Sequence, residues 1–574
     1  MPRRNEPRGR VRWAGGALAP RLTLVALLGL AVAPAAPHAQ DAPPSGWLRA
    51  HDSNGASTVA GPAWFAAWSP LRPSIDLARG LVRAPLGPGL LAGPAPRAGA
   101  FGVAGAPGAM ARDLRLGVPR DSAGWSELRV QRAAESGAFR RPLDVADATV
   151  TQGTGQGWAP VGQRGVAVGR FVVDRESHDA AGYAQRVAPH WSSPFIVTDS
   201  TTPPTRRTRV RLEGALGTEL AGFGVGVAAG LESREHSSVN APLRRSGRAA
   251  TPALVAGIER VLPWAGARVG GFHKWSQANE TNVLNAAPLP TILYQLRGYD
   301  EPFGFLVTES TPVFVRNDRR STVTGGTLEA TVRGTRLVAV HETGRRAEDQ
   351  YQNFVSRVRP TERWRATGST TLVQLSRPLG GVARALLVGA RQVVTGTASR
   401  ADLTGVAMDG RDEQLALEGD LRVTRGPWRA GVLGGVQQWR HARFDYVVVR
   451  RTALTLTTPF VGGELARSAR RAAVAVGASV ALRGASGGIP PLPGTDQPTY
   501  RRLLQPELAY EAARSQTVAG WLSAQLPVAD QLLVLSARAE RATPRDDGAA
   551  RLQPTGARTV WSVGVGWQRG RAGR

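Results

Sequence analysis

The stretch Ala557–Arg569 reads A-R-T-V-W-S-V-G-V-G-W-Q-R. Trp561, Val563, Val565 and Trp567 fall on one face; Ser562, Gly564, Gly566 and Gln568 fall on the other. A period of two is a strand signal, not a helix signal. In water the apolar face would be buried in a core. In a membrane barrel it faces lipid, while small and polar residues face the lumen. Tryptophans bracket the apolar face here, and amphipathic indoles favour the bilayer interface.

The pattern recurs upstream. Strands are expected near residues 126–133, 147–158, 165–175, 207–217, 220–231, 253–262, 266–275, 322–333, 335–343, 363–376, 381–395, 413–425, 428–440, 458–467, 471–483, 517–526, 530–541 and 557–569. That makes about 18 strands, an even number that returns both ends to one side; without the first two, the count is 16. Leu503–Ala512 is also strand-like, but a separate crossing there breaks the parity, so it is assigned to an outer loop or to an extension of the next strand. Faces alternate cleanly in several strands. Leu415, Leu417, Leu421 and Val423 oppose Glu418, Asp420, Arg422 and Thr424. Val474, Val476, Val480 and Leu482 oppose Ala475, Gly477, Ser479 and Arg483, and Phe223, Val225, Val227 and Leu231 oppose Gly222, Gly224, Gly226 and Gly230. A charge facing lipid costs roughly 2–4 kcal/mol at midplane, so the Arg and Glu set is expected to face inward.

Short turns alternate with long connections. The turns are read at Pro263–Gly266, Gly334-Thr335, Arg377–Gly380, Gly426-Pro427, Arg467–Arg471 and Pro527–Asp530. Long connections include 232–251, 276–321, 343–362, 396–412, 442–458, 483–517 and 541–556. These features together predict a closed antiparallel transmembrane β-barrel over residues 125–569, with short periplasmic turns and long outer loops. No blade or solenoid motif recurs.

Composition places the chain outside the cytoplasm. Residues 1–39 read as a signal peptide: arginines from Arg3 to Arg21, an apolar run Leu22–Val32, and cleavage after Ala35 or Ala39. No second apolar run of about 20 residues occurs, which excludes a helical membrane protein. Residues 40–124 are rich in Pro, Gly and Ala and read as an extended periplasmic leader or a small plug. Residues 570–574 form a short basic tail. There is no cysteine, so neither disulfides nor thiolate metal sites are available. The net charge of +28 comes almost wholly from arginine, with Lys274 the single lysine. The arginines are scattered and not gathered into a stripe, so nucleic acid is not the expected partner. The expected bias is towards anions, in a lumen or at an anionic lipid surface.

Trp264 and Trp428 sit at short turns, and Trp275 and Trp439 lie 11 residues further on. That separation spans about 28 Å at a tilt near 40°, which makes these four, with Trp561 and Trp567, the candidate membrane-interface aromatics. The odd separation calls for a bulge, or for a turn tryptophan off the ladder. The stretch Ser276–Ser321 is the longest connection and the richest in aromatics, carrying Tyr294, Arg297, Tyr299, Asp300, Phe303, Phe305, Phe314 and Arg316. It reads either as a lumen constriction or ligand surface, its arginines selecting anions, or as a self-packed loop with a small hydrophobic cluster. Gly484–Gly488 matches the G-x-S-x-G elbow around Ser486, but Ile489–Pro493 cannot begin the helix an elbow requires. The eight histidines show no metal-ligand spacing. No catalytic, cofactor or metal residues are assigned, and no enzyme activity is expected.

Ser562, Gly564 and Trp567 resemble the terminal insertion signal of outer-membrane barrels, although Arg569 stands where a second aromatic is usual. Ala138–Pro142 (A-F-R-R-P) and Ser193–Asp199 (S-P-F-I-V-T-D) resemble motifs of an uncharacterised family of such barrels. The resemblance implies a bacterial outer-membrane location, lipid and the barrel-assembly machinery as partners, and no known substrate. The chain does not resemble a TonB-dependent receptor, whose plug domain is larger than the region before this barrel. The expected function is porin-like passage or binding of small anionic solutes. The alternative is an occluded structural barrel acting through its outer loops.

Overall fold

The computed structural model describes residues 125–138, 147–161, 165–178, 196–199, 204–238, 244–262, 267–285, 291–296, 302–307, 313–353, 358–380, 382–401, 403–447, 449–469, 472–487, 509–510, 512–528, 531–545 and 556–569. The expected signal peptide, leader or plug, and basic tail lie outside them, as do Trp264, Arg297, Tyr299 and Asp300. The strands are β1 (Trp125–Gly137), β2 (Asp147–Val161), β3 (Gly165–His178), β4 (Ile196–Asp199), β5 (Thr205–Leu220), β6 (Phe223–Ser238), β7 (Arg244–Leu262), β8 (Ala267–Asn285), β9 (Thr291–Leu296), β10 (Pro302–Val307) and β11 (Val313–Val332). They continue as β12 (Thr335–Asn353), β13 (Val358–Leu379), β14 (Ala383–Arg400), β15 (Met408–Arg425), β16 (Trp428–Asp445), β17 (Arg450–Ala469), β18 (Ala472–Ser486), β19 (Ser515–Val528), β20 (Gln531–Pro544) and β21 (Arg558–Arg569).

Eighteen of these strands form one antiparallel sheet in chain order, and β21 pairs back onto β1, with Val565 opposite Val130 and Trp567 opposite Leu128. The sheet is therefore closed and has no free edge, the condition for crossing hydrocarbon with strands. The remaining three strands make a separate small sheet in the order β10-β9-β4.

The turns at one end are short because the sequence supplies the required backbone. Between β5 and β6, Ala221 and Gly222 have φ of 51° and 78°; between β11 and β12, Arg333 and Gly334 have 49° and 77°. Positive φ at both central positions is the type I′ hairpin turn, whose twist matches the flanking strands. Several turns are tighter than expected. Thr335 belongs to β12 and pairs with Val332, so the turn is Arg333-Gly334. Pro378 and Leu379 pair with Arg384 and Ala383. Arg467–Ala469 and Pro527-Val528 likewise continue their strands.

The strands also extend further at the opposite end. β11 was expected from residue 322 and begins at Val313, and β13 runs for 22 residues. A membrane crossing needs only about 9–11 residues. Above the bilayer both faces of a strand are polar, so alternation vanishes from the sequence although the ladder hydrogen bonds continue. Leu503–Ala512 gives no strand among the described residues; Ala509 and Tyr510 are helical.

Outward residues are apolar over the lower half of the wall. Trp561, Val563 and Trp567 are exposed on one face of β21, while Ser562 is buried on the other. Leu415, Leu417, Leu421 and Val423 are exposed and Asp420 is buried. Leu522 lies in the middle of this band, six residues from the short-turn end of β19. Leu522→Arg is expected to lower stability in lipid vesicles by about 2–4 kcal/mol, read from the urea midpoint. Tolerance equal to that of Leu522→Ala would mean that this face does not meet hydrocarbon.

Candidate functional site

The inward faces divide into two kinds of wall. From β2 to β12 the wall is a chain of ion pairs and amides. Asp174 accepts hydrogen bonds from Gln152 Nε2 at 2.6 Å and from Arg209. Arg234 pairs with Glu232, and Glu280 accepts from Arg319 and, at 3.0 Å, from Asn282 Nδ2. Arg346 reaches Glu348 at 3.1 Å. Lys274 crosses β11 to reach Glu342 on β12 at 3.1 Å, with its ammonium 4.9 Å from the centre of the Phe272 ring. Inward residues two apart on a strand and those opposite on its neighbours both lie close enough to pair, so charges meet along strands (Arg234–Glu232, Arg346–Glu348) as well as across them (Arg209–Asp174).

From β13 to β19 apolar clusters are interleaved with inward charges such as Asp420 and Glu464. Trp364, Val394, Ala398 and Met408 pack with Val323. Trp439, Leu454 and Leu456 form a second cluster. Two inward aromatics lie over glycines of the adjacent strand. A Cβ on Gly396 would stand 2.1 Å from the Trp364 ring, and one on Gly477 would stand 2.3 Å from Trp521. The small inward residues therefore do not widen the lumen, because the neighbouring indoles fill the space they leave.

The expected site residues fall in different places. Tyr294 is on β9, opposite Gly304 of β10 and Thr198 of β4, and Phe303 and Phe305 are on β10. Ile196–Asp199, the described part of the Ser193–Asp199 motif, is thus joined to the long connection by strand pairing. That connection is shorter than expected, because residues 276–285 and 313–321 belong to β8 and β11. Phe314 and Arg316 are exposed on the outward face of β11. Arg316 donates twice to Asp318, at 2.9 and 2.7 Å, and lies over the Tyr351 ring. It is not a lumen residue. Of the interface tryptophans, Trp275, Trp428, Trp561 and Trp567 are exposed on the outer wall. Trp439 is not: it is 3% exposed, points inward and stacks on His441. The 11-residue separation from Trp428 inverts the face along an unbulged ladder, so both rings cannot meet lipid.

One inward element escaped the sequence. Tyr510, in the β18–β19 connection, is buried against Ala513 and Ala542, and its carbonyl accepts from inward Arg483 Nη2 at 2.9 Å. Its phenol ring lies 5.4 Å from the Arg483 guanidinium. This connection folds onto the inner wall. Ser486 closes β18 opposite Thr455 at a strand end. No group of metal-binding side chains occurs among the described residues.

Among the described residues the buried charges nearly cancel. Nine buried Arg and Lys (129, 207, 234, 274, 319, 346, 400, 483, 558) stand against ten buried Asp and Glu (135, 174, 280, 342, 348, 362, 420, 445, 464, 540). The excess arginine of the composition is therefore not in the buried wall. Orientation within pairs is nevertheless uneven. Side-chain exposure is 21% for Arg209 against 1% for Asp174, 15% for Arg422 against 5% for Asp420, and 24% for Arg429 against 2% for Glu464. In these pairs the carboxylate is sunk against the backbone and the guanidinium is presented to the space beyond.

No protein-family model matches the chain, and no curated protein does. Among solved structures it is similar to the copper transporter OprC, at 10% identity and a TM-score of 0.37, covering 77% of this chain and 80% of that one. It is similar to OccAB3 of Acinetobacter baumannii at 9% identity and a TM-score of 0.32, covering 78% and 99%. The siderophore receptor PiuA of Acinetobacter baumannii gives 6% identity and a TM-score of 0.35, covering 76% and 81%.

The Lys274–Glu342 pair supplies a test of the polar wall. Lys274→Met is expected to destabilise the barrel by about 3–5 kcal/mol, because Glu342 is left buried without its cation. Lys274→Met with Glu342→Leu should recover most of that loss in the same urea titration. No recovery would mean that the two side chains are not energetically coupled.

Proposed function

We propose that the protein is a non-enzymatic barrel of the bacterial outer membrane through which small polar solutes, anions preferentially, pass or are held. Barrels of 16–18 strands are the size that leaves an aqueous channel. The observation that carries the reading is the orientation of the inner ion pairs. A wall that is neutral by count still offers Arg209, Arg422 and Arg429 to a solute, with their carboxylates set behind. Arg422 and Arg429 lie beside the short β15–β16 turn, so an anion would meet them at that mouth. Guanidinium groups there raise the local concentration of small anions.

A second reading, an occluded barrel that works through its outer loops, is favoured by different residues. The inward clusters of Trp364 and Trp439, together with Tyr510 on the inner wall, pack the side of the lumen formed by β13 to β19, among the strands that also carry Arg422 and Arg429.

Planar-bilayer recording separates the two. Stepwise conductance with a reversal potential favouring chloride over potassium is expected. In Arg422→Gln/Arg429→Gln the permeability ratio should move several-fold towards unity while conductance persists. Electrical silence of correctly folded barrel would favour the occluded reading, and unchanged selectivity in the double variant would remove the arginines from the argument.

A further inference from the structure

Some of the exposed arginines gather on the outside of the barrel across β11 to β17. Arg320, Arg365 and Arg451 fall on a single rung of the outward face, linked through the ladders of β11 to β17. Arg345 and Arg411 fall on the next rung down. Between them the outward residues are short, including Ala347, Thr367 and Thr395. The result is a hollow of about 1030 Å³ with a threonine and alanine floor and an arginine rim.

The local acids are already engaged. Asp349 takes Arg365 at 2.7 Å, and Glu413 takes Arg391 at 2.8 Å. Asp409 accepts from Tyr446 Oη at 2.7 Å, which holds that phenol above its usual pKa. Arg411 stands 3.9 Å from Glu413. Arg320, Arg345 and Arg451 have no acidic partner among the described residues.

Height decides what this hollow meets. Arg345 is ten residues up β12 from Thr335, and Arg365 and Arg411 are each fourteen residues up from the short-turn ends of β13 and β15. With a rise near 3.3 Å per residue and a tilt near 40°, that is about 25–35 Å above the turns, where an apolar band about 25 Å tall gives way to headgroups. On β6 and β7, beyond β8, the same height carries Ser233, Glu235 and Ala250, and Arg248 there is paired with Glu235 at 3.4 Å.

We propose that this hollow binds a phosphate-bearing lipid headgroup of the outer leaflet, its acyl chains lying on the apolar band directly below. Guanidinium forks match phosphate oxygens bidentately, and several unpaired forks at headgroup level suit a headgroup with closely spaced phosphates. The proposal does not depend on whether the lumen conducts.

The test is native mass spectrometry of the detergent-purified full barrel, titrated with phosphatidic acid, with phosphatidylcholine and with inorganic phosphate. Phosphatidic acid should be retained at least tenfold better by the wild type than by Arg320→Gln/Arg345→Gln/Arg411→Gln, with phosphatidylcholine weak on both. Millimolar inorganic phosphate should not displace it. Arg206→Gln/Arg248→Gln, on β5 and β7 outside the hollow, should bind like the wild type; should the triple variant not fold, Arg345→Gln alone should still weaken retention several-fold. Equal retention by wild type and folded hollow variants would overturn the proposal. So would full displacement by inorganic phosphate, which would make the hollow a free-anion site, or equal loss in the β5/β7 variant, which would make the effect one of bulk charge.

Discussion

The structure depends on a seam of backbone hydrogen bonds between the first and last barrel strands. β1 and β21 pair from Ser126 with Arg569 to Gly137 with Arg558. Without that ladder, two rows of amide and carbonyl groups would face hydrocarbon unpaired, each at a cost of several kcal/mol. The inner side of the seam is reinforced across strands. Arg129 of β1 reaches over β21 to Ser536 Oγ of β20 at 2.6 Å, and Arg558 donates to Glu135. This path needs a residue without a side chain beneath it: a Cβ on Gly564 would stand 3.0 Å from Ser536 Oγ and 3.3 Å from the Arg129 guanidinium. The glycine of the terminal signal therefore has a packing reason here.

Closure divides the chain into an outside and an inside with opposite rules. Outside, apolar residues face lipid for the height of the bilayer, and charges are tolerated only above it. Inside, charges are tolerated throughout but must be paired, because a buried ion without a partner is strongly unfavourable. The near balance of buried acids and bases follows from this requirement. Among the described residues, exposed arginines such as Arg320, Arg365 and Arg411 sit where water or headgroups can solvate them. An overall charge consequently says little about the lumen, whereas the side of each ion pair that faces the open space says a good deal.

The inner surface is itself asymmetric. The β2–β12 wall is polar and ion-paired, and the β13–β19 wall interleaves indoles, Met408 and leucines with pairs such as Arg429–Glu464. A solute on the axis would meet charge on both sides and apolar clusters on one. That combination of a few oriented polar groups with an apolar face is the general character of ligand sites.

The alternation of apolar and small or polar residues in stretches such as Leu415–Val423 and Trp561–Trp567 was enough to determine strand number, parity, closure and which face meets lipid. Bilayer hydrocarbon imposes that pattern locally, residue by residue, so it is written in the chain. Strand length, the inward position of Trp439, the outward position of Arg316 and the hollow between Arg320 and Arg411 were decided only in three dimensions. Above the bilayer the two faces of a strand are chemically alike, and the residues that line the hollow come from strands tens of residues apart. Only the register of the closed sheet brings them together.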